Sequence, residues 1–144
     1  MTQTAILYPV FVLVLLTFFL QGWMRKERVG AIKRGEVQFK DISLRQQAWP
    51  SRATQISNAF HHQLEVPILF YALVAFLMIT SQVNIIFLVL AWLFVAVRVV
   101  HAYIHTTINQ QPYRFYAYAA GSLILFVMWV LFAIRILFFT TTGA

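Results

Sequence analysis

Cysteine is absent from the 144-residue chain, which excludes a disulfide-stapled secreted domain. Charge is scarce: Asp, Glu, Lys and Arg supply 10% of the residues, against roughly 25% in an ordinary soluble domain. Acids are rarer still, 4 against 11 Lys and Arg. So few charges cannot cover the surface of a soluble globule of this length. What is present is apolar: 61% of the residues, including 14 Phe, with a mean hydropathy of +0.76. That excludes a disordered chain and leaves a small integral membrane protein.

The formal charge of +7 would suggest nucleic acid in a soluble protein, but no aromatic or Gly-rich nucleic-acid module accompanies it, so no such partner is expected. Eight basic residues (Arg25, Lys26, Arg28, Lys33, Arg34, Lys40, Arg45, Arg52) crowd into one stretch with Glu27, Glu36 and Asp41. Only Glu65, Arg98, Arg114 and Arg135 lie elsewhere. A basic loop between apolar segments is the mark of the positive-inside rule.

Hydropathy predicts an all-α fold: an integral membrane bundle with helices at about 5–24, 54–80, 85–107 and 115–139, and a basic cytoplasmic loop at 25–53. Each run approximates the ~20 residues that cross ~30 Å of hydrocarbon. The runs are continuous rather than alternating, which excludes barrel strands. No basic region precedes the first, which is too long for a cleavable signal peptide. Short turns at 80–84 and 109–113 make helices two and three, and three and four, antiparallel neighbours. With the basic loop inside, both termini are expected on the non-cytoplasmic side, and Arg135 is an outer-end cation left to snorkel. Compact loops point to a bacterial inner membrane.

Ionisable groups within such helices cost on the order of 3 kcal/mol each at mid-membrane, so each asks for a partner or a ligand. On helix two, Asn58, His62 and Glu65 share a stripe with His61 at its edge. On helix three, Arg98, His101, His105 and Asn109 share another. All 4 histidines lie in these two stripes. At ~1.5 Å per residue, Glu65 and Arg98 are both roughly 15 Å from the cytoplasmic boundary. They are expected to face one another at the head of a polar cleft, with Arg114 and Tyr118 near its mouth. A bland alternative is that Glu65 and Arg98 only pin helix register. Pro67 is expected to kink helix two and free a carbonyl.

The cleft could serve several chemistries. His101 and His105 have metal-binding spacing, but Arg98 one turn away opposes a divalent ion, and no metal is expected. An anion fits better. Arg98, Arg114, Arg52 and Arg45 suit carboxylates, and Glu65 suits an ammonium group. Glutathione carries both groups, and its thiol would ionise more readily beside an Arg.

The stretch from Arg52 to Tyr71, RATQISNAFHHQLEVPILFY, together with Arg98-x-x-His101-x-x-x-His105-x8-Arg114, resembles the MAPEG family, the membrane-associated proteins of eicosanoid and glutathione metabolism. That family includes microsomal glutathione transferases and the leukotriene and prostaglandin E synthases. The resemblance covers essentially the whole chain, and it implies a homotrimer that binds glutathione between subunits near the cytoplasmic side. By resemblance, Glu65, Arg98 and His101 match binding positions. His62 stands where an Asn is usual, Asn58 sits one turn earlier, and His105 replaces a frequent Tyr. Arg52 is similar to a basic residue at the start of helix two, and Tyr118 to a helix-four Tyr near the cofactor. Arg114 matches the catalytic Arg that promotes the thiolate.

The expected function is therefore a glutathione-dependent transferase or peroxidase acting on a lipophilic small-molecule substrate drawn from the lipid bilayer. The alternative is a non-catalytic subunit that binds glutathione or lipid, or that serves assembly. A transporter is disfavoured, because the outer halves of all four helices carry almost no polar side chain.

Overall fold

The computed structural model describes residues 2–37, 49–108 and 111–139. These are mostly helical, with no strand among them. A single 3-10 turn, Gln3–Ile6, leads into α1 (Leu7–Lys33); then come α2 (Ser51–His62), α3 (Val66–Ile79), α4 (Ile85–Thr106) and α5 (Gln111–Ile134), which ends in a π-turn at Arg135–Phe139. Among the described residues, four helical stretches are long and apolar enough to cross a membrane: Gln3–Lys33, Ser51–Ile79, Ile85–Thr106 and Pro112–Phe139.

α1 runs well past residue 24, where hydropathy alone ends the first span. Helical hydrogen bonding continues in water as well as in lipid, so the change from apolar to basic residues does not stop it. The stop is Gly35, whose φ of +75° suits a residue without a Cβ. Its N–H donates to Ile32 O at 3.0 Å and the Glu36 N–H to Ala31 O at 3.0 Å, a Schellman closure that satisfies the last carbonyls. The expected loop is thus helical in its first part; Lys40, Asp41 and Arg45 lie outside the described residues.

The second span is broken. Pro67, the second residue of α3, has no N–H to donate, and its ring collides with the carbonyl four residues back. The helix therefore stops at His62 and restarts at Val66, with Glu65 at φ −97° and ψ −92°. The two pieces take different neighbours: α2 packs on α1 and α4, whereas α3 packs on α5 and the N-terminal turn. Phe70 of α3 still stacks on Phe94 of α4 at 4.8 Å, and Phe76 meets Trp129 and Phe132 of α5.

The main core gathers Leu13, Phe70, Leu73, Phe87, Phe94 and Met128. A smaller cluster of Leu20, Ala59 and Ala102 joins α1, α2 and α4 toward the other end. Lipid is as apolar as these side chains, so the bundle coheres through close van der Waals packing; two alanines at one contact allow that closeness. Phe11, Leu15, Phe18 and Phe19 face outward, as lipid-facing residues do. At the turn after α3, Asn84 Oδ1 accepts from Phe87 N–H at 3.1 Å and caps α4. Arg135 is not left to snorkel: its Nε donates to Gln82 Oε1 of this turn at 2.8 Å.

Candidate functional site

α4 supplies the centre. Its buried face includes Phe94, Arg98, His101, Ala102 and His105, because spacings of three and four keep these residues on one side of the helix. Arg98, His101 and His105 are 1%, 2% and 1% exposed. Asn109, placed by the sequence on the same stripe, lies outside the described residues. Gly121 of α5 lies against the Arg98 stem, where an added Cβ would sit 3.7 Å from Arg98 Cδ. That bare surface lets the long side chain pass between α4 and α5.

His62, at the end of α2, completes a group of three imidazoles. Its ring centroid is 5.4 Å from that of His101 and 5.0 Å from that of His105, and the latter two are 5.5 Å apart. Tyr118 of α5 approaches His101 at 6.5 Å between ring centroids. Arg114, at the start of α5, is near enough to act electrostatically on all three histidines.

Arg98 donates from Nη2 to the carbonyl of His62 at 2.8 Å. In an unbroken helix that carbonyl would accept from Val66 N–H, so the break forced by Pro67 exposes the acceptor the guanidinium uses. The expected freed carbonyl is therefore present, and it belongs to the residue that also brings an imidazole to the cluster.

Other expected partners are arranged differently. Arg98 and Glu65 form no ion pair among the described residues. The Glu65 side chain is 62% exposed, and its Oε2 lies 3.4 Å from His62 Nδ1. The reason is the same break: Glu65 sits in the non-helical link, so the rotation that would aim it at α4 in a straight helix is lost. Arg52 is held at its own end of the bundle. It donates to Thr106 O at 2.6 Å, and its guanidinium lies 5.1 Å from the Trp23 ring centroid. Asn58 and His61 point outward from α2.

Several buried nitrogens in the cluster have no hydrogen-bond partner among the described residues: Arg98 Nε, His101 Nδ1, both ring nitrogens of His105 and Arg114 Nε. Buried polar atoms are rarely left so, and here five fall in one neighbourhood. Gln63, a residue the stripe pattern passes over, is likewise 1% exposed, and neither amide atom has a partner among the described residues. Gln55, also unanticipated, donates to His105 O at 2.8 Å and ties α2 to the end of α4. Gln63 is a neutral amide just before the apolar run of α3, a signal that would have revealed it, whereas Gln55 sits in a polar stretch that gives none. Pronounced surface grooves run along α1 and between α4 and α5, lined by other residues.

A set of guanidinium and imidazole groups, rich in N–H donors and poor in buried acid, suits an anionic ligand. No curated protein and no solved structure matches the chain. The sequence profile of the MAPEG family matches residues 6–134. With four membrane-length helices, and with that match spanning nearly all of them, the chain belongs to the MAPEG family.

Proposed function

We propose that this MAPEG protein is a glutathione-dependent transferase or peroxidase acting on lipophilic electrophiles. One observation carries the reading: Arg98, His101, His105 and Arg114 present buried nitrogens without partners among the described residues in one neighbourhood, a donor set fit for a small peptide with carboxylates. Glutathione, when bound, supplies a thiol whose ionised form attacks an electrophile. Arg114 is the catalytic residue in this reading; its positive charge favours the thiolate over the thiol. Arg98 and Arg52 hold carboxylates, Glu65 receives the amine, and His62, His101, His105, Asn58 and Tyr118 meet the peptide's polar groups. Burial within the bilayer keeps water from the anion and lets an apolar substrate arrive sideways from lipid.

The outward placement of Asn58, His61 and Glu65 on the second span supports assembly as a homotrimer. A charge facing hydrocarbon costs on the order of 3 kcal/mol, and a neighbouring subunit removes that cost. The same assembly brings Glu65 into a shared site. The positive-inside rule supports both termini outside, and the compact loops support a bacterial inner membrane.

A second reading, a non-catalytic binding or assembly subunit, is favoured by the guanidiniums of Arg98 and Arg52 already being engaged by His62 O and Thr106 O. Purified protein in lipid separates the two. Conjugation of a lipophilic electrophile or reduction of a hydroperoxide is expected to require glutathione. Arg114→Ala is expected to lower kcat on the order of 10²-fold, the scale of losing one group that stabilises reacting charge, while calorimetric affinity changes far less. Heat of glutathione binding without product supports the second reading. Turnover indifferent to glutathione refutes the first.

A further inference from the structure

The long first helix carries a feature the proposed reaction does not use. At ~1.5 Å per residue, a 27-residue α1 spans about 40 Å, whereas the hydrocarbon layer is about 30 Å thick. The excess lies at the basic end, so Arg25 and Lys26 sit near the hydrocarbon boundary and Lys33 beyond it. Spacings of three and four put Phe18, Gly22, Arg25, Lys26, Val29 and Lys33 along one outward face.

Two grooves follow that face. One, of about 490 Å³, is lined by Phe18, Phe19, Gly22, Trp23 and Lys26. The next, of about 580 Å³, runs from Gly22 past Arg25 and Lys26 to Lys33. They share Gly22, where an added Cβ would meet nothing within 4 Å, and Lys26, so a mainly apolar channel opens into a cationic one. The cations nearby differ in their commitments. Arg34 pairs with Glu36 at 3.0 Å, Arg28 donates to Ser57 at 2.9 Å, and Arg52 is held by Thr106. Arg25, Lys26 and Lys33 have no ion pair or hydrogen bond among the described residues. The one acid on this groove, Glu27, accepts from Trp23 Nε1 at 3.2 Å.

We propose that this face of α1 binds an anionic glycerophospholipid, with acyl chains along Phe18 and Phe19, the glycerol region at the Gly22 notch, and the phosphate at Arg25 and Lys26 with Lys33 beyond. A zwitterionic lipid brings its own cation to the same depth and gains less from three unpaired basic groups. A juxtamembrane cation favours anionic lipid by about fivefold, which sets the least preference expected.

The test uses full-length protein in vesicles with brominated-chain phosphatidylglycerol or phosphatidylcholine, reading quenching of Trp23 as the difference from Trp23→Phe. Brominated phosphatidylglycerol should quench at about fivefold lower mole fraction or better. Combined Arg25→Gln, Lys26→Gln and Lys33→Gln should remove the preference. Arg25→Lys with Lys26→Arg should keep it, as should Arg135→Gln at the other end of the bundle. Equal quenching by the two lipids in the native protein overturns the proposal, and that result needs no variant to fold. Preference surviving the triple substitution, or abolished by soluble glycerol phosphate, overturns it as well.

Discussion

Replacing Arg98 by Met tests whether the buried guanidinium is there for the fold or for a ligand. Two terms of similar size oppose each other. The bond from Nη2 to His62 O at 2.8 Å is one to a charged group, worth about 1.5–3 kcal/mol, and its loss strands a buried carbonyl. Against this, burying a cation at this depth costs on the order of 3 kcal/mol on insertion scales, and Met removes that cost while retaining much of the stem's packing. Arg98→Met is therefore expected to leave unfolding free energy within about 1 kcal/mol of the native protein, whereas glutathione binding falls sharply. The helix break supplies an internal control. With Pro67→Ala the helix can close, and Val66 N–H can satisfy His62 O in place of Arg98. The two substitutions should then couple by about 1–2 kcal/mol, above the ~0.5 kcal/mol within which independent sites add. Reversible unfolding in mixed micelles measures the cycle, and amide exchange over residues 62–68 reports helix closure. Additive behaviour refutes the assignment of that carbonyl to Arg98. A loss above about 3 kcal/mol for Arg98→Met alone makes the residue a structural pin.

Two further predictions concern packing and termination. Gly121→Ala should be tolerated, since its Cβ meets ordinary contacts of 3.5–3.9 Å, while Gly121→Leu should push the Arg98 stem aside and cost about 1–3 kcal/mol of overpacking; unfolding and glutathione calorimetry on both variants check this. Gly35→Ala places a Cβ at φ +75° and should cost about 1–2 kcal/mol, seen as faster amide exchange at the end of α1 with turnover unchanged.

The histidine and arginine stripe of α4 was readable because helical spacing is a local property: three positions on one face of a continuous helix stay together whatever packs on them. The second span shows the opposite case. Asn58 and His62 lie one turn apart within α2, but Glu65 joins their stripe only if the helix is straight. Pro67 signals a disturbance, but neither its size nor the new direction follows from composition. Gln63 passed unnoticed because it lies off that stripe. A helical wheel sets it about 100° round from His62, and only the packing of the fold shows that this side is buried. Arg52 was legible from its charge as a candidate for carboxylate, but its bond to the free Thr106 carbonyl at the end of α4 depends on how α2 and α4 pack and was not.

Hydropathy and spacing alone determined four membrane-length helices, a basic end to the first of them and the shared face of Arg98, His101 and His105 on α4, because transfer to lipid and the 3.6-residue repeat act on each segment independently. Which nitrogen meets which oxygen was decided only by tertiary structure: the partner of Arg98, the outward turn of Glu65 and the docking of Arg135 on Gln82 all depend on how helices rotate and where one of them breaks. Those rotations are set by packing between segments distant in the chain, which no single segment encodes.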